Sequence, residues 1–158
     1  MSAMGRNPVM PVIDAQVQIA APIEKVYAIA RDVESFPSYM PDVESIKIVE
    51  GGAQEPRVVT EWVGLVPEFK QKIRWTEEDN WDDNAHICRF RQVKGDYKEY
   101  EGEWIFTPAG DATAFRSTFT YDLEIPLIGP LIKNLVLKKM QINNQKILEA
   151  IKARAEET

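Results

Sequence analysis

The sequence predicts an α+β domain: a curved antiparallel sheet of about seven strands wrapped around one long C-terminal helix, with two short helices after the first strand. Three observations predict it. A single amphipathic stretch closes the chain, from Pro130 to Glu156. Between Val43 and Ile125, strand-like segments follow one another through short turns, the pattern of an antiparallel meander. The helical segments are also set apart from the strands instead of alternating with them, which separates α+β from α/β.

The closing helix organises the rest. Gly129-Pro130 fits a helix start, because Pro is tolerated in the first turn, and neither Pro nor Gly recurs before the end of the chain at Thr158. At about 1.5 Å per residue the helix is roughly 40 Å long, enough to cross a small domain. Leu131, Leu135 and Ile142 form one edge of its apolar face; Val136, Met140, Ile147 and Ile151 form the other. Lys139 and Asn143 fall between those edges. Polar groups in a buried stripe cost free energy unless partnered. Either the helix arches over a space that holds something polar, or these two side chains reach out past the stripe.

Taken in order, Val12–Ala20 alternates apolar and polar residues as a half-buried strand does. Pro22–Arg31 is a short helix with Ile23, Val26, Tyr27 and Ala30 on its apolar side. Asp32–Pro41 is a second short helix or a pair of turns, broken by Pro37 and Pro41. The expected strands are Val43–Glu50, Arg57–Val66, Phe69–Thr76, Ala85–Val93, Tyr97–Thr107 and Thr113–Ile125. A tight hairpin is expected at Val66-Pro67-Glu68, and the acidic run Glu77-Glu78-Asp79 is read as leading into the turn at Trp81–Asn84.

At 158 residues the chain is most simply one domain, placed at 12–157 behind a flexible N-terminus at 1–11. A formal charge of −6 and a pI near 4.9 argue against a nucleic-acid surface spread over the whole molecule. Lys133, Lys138 and Lys139 leave room for a local basic patch. Cys88 is the only cysteine, so no internal disulfide and no cysteine zinc site can form. That fits a reducing cytoplasm, the expected location. The first residues lack a signal-peptide core, and no apolar run approaches ~18 residues. Neither a cofactor nor a metal is expected.

No nucleophile–base triad is visible. His86 is the lone histidine and Cys88 reads as a small core residue. Glu99, Glu101 and Glu103 read as a solvated ladder on one strand's outer face. Trp75, Tyr100, Trp104, Phe106, Phe115, Phe119 and Tyr121 share the inward parity of three strands, as either plain core or a cavity wall. Arg89 and Arg91 share parity with Ile87 and Val93, so that inward placement is open to them.

Four segments carry a family resemblance. Ala21-Pro22-Ile23-Glu24-Lys25-Val26-Tyr27, Val33-Glu34-Ser35-Phe36-Pro37-Ser38-Tyr39-Met40-Pro41-Asp42-Val43, Gly102-Glu103-Trp104-Ile105-Phe106-Thr107-Pro108 and Pro126–Glu157 occur in the right order across almost the whole chain. Together they resemble the START-like (SRPBCC, birch-pollen-allergen-like) superfamily of helix-grip folds. Within it, the similarity is to the polyketide cyclase/dehydrases and the coenzyme-Q-binding, RatA-like group. The resemblance implies a cavity between sheet and helix that holds a hydrophobic small molecule such as a quinone, lipid or aromatic polyketide. An apolar wall without an identifiable acid, base and nucleophile set makes a non-catalytic binding protein the preferred reading. Expected ligand-binding residues are the seven inward aromatics with Phe36, Tyr39, Met40, Leu135, Val136, Lys139, Met140 and Asn143. The resemblance leaves two other functions open. One is a polyketide cyclase or dehydratase that uses Arg89, Arg91, Tyr100 or Tyr121 for acid–base chemistry. The other is a ribosome-interacting module. Turn 36–41 would border the cavity mouth, where it could gate the cavity or meet a membrane or partner.

Overall fold

A computed structural model describes residues 10–66, 70–123 and 130–157. Five expectations therefore lie outside the described residues: the flexible start of the chain at 1–9, the hairpin at Pro67-Glu68, the start of the fourth strand at Phe69, the end of the last strand at 124–125 and the approach to the helix through Gly129. Strand β1 (Val12–Ile19) leads into helix α1 (Ile23–Arg31) and a 3₁₀ helix (Val33–Ser38). Six strands follow: β2 (Val43–Glu50), β3 (Arg57–Val66), β4 (Gln71–Asp82), β5 (Ile87–Gly95), β6 (Glu99–Ala109) and β7 (Ala112–Asp122). Helix α2 (Pro130–Glu156) closes the chain.

The seven strands form one antiparallel sheet in the order β1-β7-β6-β5-β4-β3-β2. The first strand thus pairs with the last, from Val12 opposite Thr120 to Ile19 opposite Thr113. Irregularities at Val43/Ser45, Ile48/Glu50 and Thr76/Glu77 add local bend and twist, as bulges do. The sheet curls around α2 in a helix-grip fold. Among the described residues no helix is long and apolar enough to cross a membrane.

Inward side chains build one core, whose fully buried members include Ile13, Ile19, Val26, Phe36, Phe106, Phe115, Leu148 and Ile151. Polar pins close its ends. The Ser117 hydroxyl donates to Asn144 Oδ1 at 2.8 Å, and the Thr113 hydroxyl donates to the Ala21 carbonyl at 2.8 Å. The Arg31 guanidinium, buried against the Trp81 ring, donates to Asp83 at 2.8 Å and to the carbonyls of Ala53 and Glu55 at 3.0 and 2.6 Å. Each such bond offsets the cost of burying its donor.

Two expectations are corrected. The fourth strand does not end at Thr76; it runs on to Asp82, carrying the acidic run inside the sheet. Cross-strand pairing with β3 continues through Glu77 and Asp79, so ladder hydrogen bonds override the weak strand preference of acidic residues. The buried face of α2 is also rotated from the expected one. Leu131, Leu135 and Ile142 are exposed, while Val136, Asn144, Leu148, Ile151 and Ala155 are buried. A half-polar seam wins because Asn144 finds Ser117 as its partner.

Candidate functional site

Helix α2 packs mainly on β1, with lesser contact to β7. Toward β3, β4 and β5 the sheet curls away, and a cavity of about 140 Å³ remains between them. The sheet contributes Trp62, Ile73, Trp75, Trp81, Cys88, Phe90, Tyr100, Trp104 and Phe119; Tyr97 enters from the turn before β6. Residues Met40 to Val43 form one rim, and α2 adds Met140, Asn143, Asn144, Ile147 and Ala150. Trp62 and Trp75 are stacked with ring centres 5.5 Å apart, and Tyr97 and Tyr100 are stacked at 4.8 Å.

Two carboxyl groups sit in this aromatic wall. Glu77 and Asp79 follow Ile73 and Trp75 on the inward track of β4, and each is only 4% exposed. Trp75 Nε1 donates to Glu77 Oε1 at 2.7 Å. The Thr60 hydroxyl donates to Asp79 Oδ2 at 2.7 Å, and Trp62 Nε1 donates to that hydroxyl at 2.8 Å. Burial, then the neighbouring Asp79, push Glu77 well above the usual carboxylate range, and burial raises Asp79 as well. The two acids are near enough to act on each other, and both stand above the usual carboxylate range. Burial also lifts the Cys88 thiol and the Tyr97 and Tyr100 hydroxyls, keeping all three neutral. Such a pair can accept hydrogen bonds, hold a proton or meet a positive charge.

Of the predicted site residues, Met40, Trp75, Tyr100, Trp104, Phe119, Met140 and Asn143 are brought together around the cavity. The others lie elsewhere. Phe106 and Phe115 stack on each other, 4.4 Å between centres, in solid core, and Phe36 is fully buried there too. Tyr121 and Val136 are buried outside the lining. Tyr39 is half-buried under Arg154, 4.6 Å from its ring, and burial pushes its hydroxyl up to about 12. Leu135 is exposed, and Lys139 is half-buried away from the lining. Arg89 and Arg91 are corrected outright: they point outward, with side chains 64% and 59% exposed, against Glu103 and Glu78 at 3.5 Å. Cys88 and Phe90 take the inward parity of β5, which leaves the arginines the outer face. His86 packs edge-on against Tyr27 at 4.9 Å and takes no part in the cavity.

Sequence reasoning missed Glu77 and Asp79 as site residues. Their signal was the unbroken every-other-residue track Ile73, Trp75, Glu77, Asp79, Trp81, with rings on both sides of the acids.

Comparison with known proteins agrees with this architecture. The crystal structure of TTHA0849 from Thermus thermophilus matches with a TM-score of 0.84 and 38% identity, covering 92% of this chain and 97% of that one. The Zhui aromatase/cyclase from a Streptomyces species matches with a TM-score of 0.83 at 20% identity, covering 94% of each chain; at that identity the likeness concerns the fold. The ribosome association toxin RatA of Escherichia coli strain K12 is 26% identical over 154 residues, 92% of each chain. The family model described as polyketide cyclase / dehydrase and lipid transport matches residues 10–156, and the chain belongs to that family.

Proposed function

We propose that this protein binds an apolar, ring-bearing small molecule between its sheet and α2, as a carrier or chaperone of the quinone, lipid or aromatic polyketide kind. The observation that carries this reading is the wall itself. All four tryptophans of the chain, with Phe90, Tyr97, Tyr100 and Phe119, face one hollow that stays open beneath a helix. Ligand sites are mostly apolar with a few placed polar groups, and here those groups are Glu77, Asp79 and Asn143. A volume near 140 Å³ approaches that of an apolar cavity that takes benzene, about 150 Å³. It therefore suits one ring, or the ring end of a longer molecule whose remainder leaves past the Met40–Val43 rim. Acid–base chemistry by Arg89 or Arg91 forms no part of the proposal, because both lie on the outer face.

Native mass spectrometry of protein purified from its own host tests the reading, together with quenching of tryptophan fluorescence by quinone, lipid and polyketide analogues. A bound apolar species, or saturable quenching, is expected. Neither bound species nor uptake of any analogue would overturn it.

The similarity to RatA supports a second reading, an interaction module that meets the ribosome. Leu131, Leu135 and Ile142, 80%, 48% and 38% exposed on α2, are the apolar groups such a contact would cover. Co-sedimentation with ribosomes is the expected result, and its loss in Leu131→Asp would place the contact on this helix.

A further inference from the structure

We propose that the molecule held in this cavity carries a cationic amine, seated against Glu77 and Asp79 among the tryptophan and tyrosine rings. The inference rests on the cavity-binding reading above and narrows its ligand class.

Three features point the same way. First, two carboxyl groups are buried together, and among the described residues no cation helps to hold Glu77 charged. Burying a carboxylate costs several kcal/mol unless it is paired. Arg31 is a cation whose charge reaches Asp79, but its guanidinium is committed to Asp83 and two backbone carbonyls. Lys146, at the cavity edge, is 61% exposed and lies 3.5 Å from Asp42. Second, Asn143 Oδ1, on the helix that faces the acids, is sealed from water and accepts no hydrogen bond. Third, the remaining wall is aromatic, and ring faces carry negative charge density that attracts cations.

A ligand entering here meets the carboxyl oxygens of Glu77 and Asp79 and the unpartnered Asn143 Oδ1. The indole N–H groups of Trp75 and Trp62 are already given to Glu77 and Thr60, and the Tyr97 hydroxyl points at Met140 Sδ, 3.9 Å away. A carboxylate would face two acids. An alkylammonium brings three N–H donors and a positive charge. The donors match the free lone pairs of Glu77, Asp79 and Asn143, and the charge suits the ring faces. The apolar body of the same molecule fills the rest of the hollow.

The test is a matched series on the full chain near neutral pH: 2-phenylethylamine, which is then protonated, against 2-phenylethanol and phenylacetate. These share one ring and one chain length and differ in the head group alone. Calorimetry and tryptophan fluorescence are expected to show the amine binding about tenfold or more tightly than the alcohol, with phenylacetate weakest. In the double variant Glu77→Gln/Asp79→Asn the preference for the amine should vanish while binding of the alcohol persists. Equal or tighter binding of the alcohol or the acid would overturn the amine inference and leave cavity binding standing. An undiminished amine preference in a folded double variant would overturn it too. If none of the three binds while quinone or polyketide analogues do, the amine inference alone fails; if nothing binds, both readings fail. Should the double variant not fold, the wild-type series decides by itself.

Discussion

The acid pair makes the stability of this protein depend on pH in an unusual direction. In the unfolded chain Glu77 and Asp79 release their protons near the ordinary values of about 4.3 and 3.9. In the folded protein both are raised, Glu77 by burial and then by Asp79, and Asp79 by burial. The native state therefore holds a proton that the unfolded chain has lost. The stability this contributes is fully present below the unfolded values and is lost as pH rises toward the folded ones. With one proton retained, the slope is about 1.4 kcal/mol of lost stability per pH unit. Neighbouring groups whose titration is displaced lie outside that window. Cys88, Tyr97 and Tyr100 are raised by burial and titrate at alkaline pH. Glu78, lowered by its hydrogen bonds to Asn80 and Arg57, titrates at acid pH. The variant Glu77→Gln/Asp79→Asn keeps carbonyl acceptors for Trp75 Nε1 and the Thr60 hydroxyl, and removes the titration. Urea unfolding from pH 5 to 7.5, followed by fluorescence and circular dichroism, should show wild type losing stability relative to this variant as pH rises. Parallel stability curves for the two proteins would refute the reasoning, because they would mean that the carboxyls ionise alike in both states.

Other substitutions test the packing. Leu148→Ala, at a fully buried position of α2, should cost about 2–5 kcal/mol, whereas Leu135→Ala, half exposed on the same helix, should stay within about 0.5 kcal/mol of wild type; denaturation midpoints compare them directly. Gly102→Ala should destabilise by about 3 kcal/mol or fail to fold, since the added methyl would run into the Thr118 carbonyl and Phe119; thermal melting reads the loss. Arg31→Met should cost about 3 kcal/mol in urea unfolding, because it removes three hydrogen bonds that tie α1 to Asp83, Ala53 and Glu55. Arg89→Ala with Arg91→Ala should leave ligand affinity unchanged and stability within about 1 kcal/mol, as read by fluorescence titration and urea unfolding.

Much of this was legible in the residues. Alternation in Val12–Ile19 and in the strand carrying Phe115, Phe119 and Tyr121 marks the inner face, since a strand exposes successive side chains to opposite sides. The same rule named Trp75, Tyr100, Trp104 and Phe119, which do line the cavity. It could not separate them from Phe106 and Phe115, which share their parity but sit in solid core. Parity gives a side of the sheet; only the distance to the opposing helix says whether that side is filled. For Arg89 and Arg91 the sequence left both faces open, and their exposure came from the inward turn of Cys88 and Phe90.

The chain by itself determined the order of its elements, the antiparallel class of its sheet and the length of its closing helix, because these follow from local periodicity and turn chemistry. Tertiary structure decided three things that local patterns do not encode. The partner of β1 is β7, about a hundred residues away along the chain. The face of α2 that turns inward is the one on which Asn144 meets Ser117. The acids that local preference assigns to a loop are enclosed beside Trp75 and Trp81, as β4 keeps its pairing with β3. Each depends on which distant surface is available to pair with a polar group, and that is known only once the whole sheet has closed around the helix.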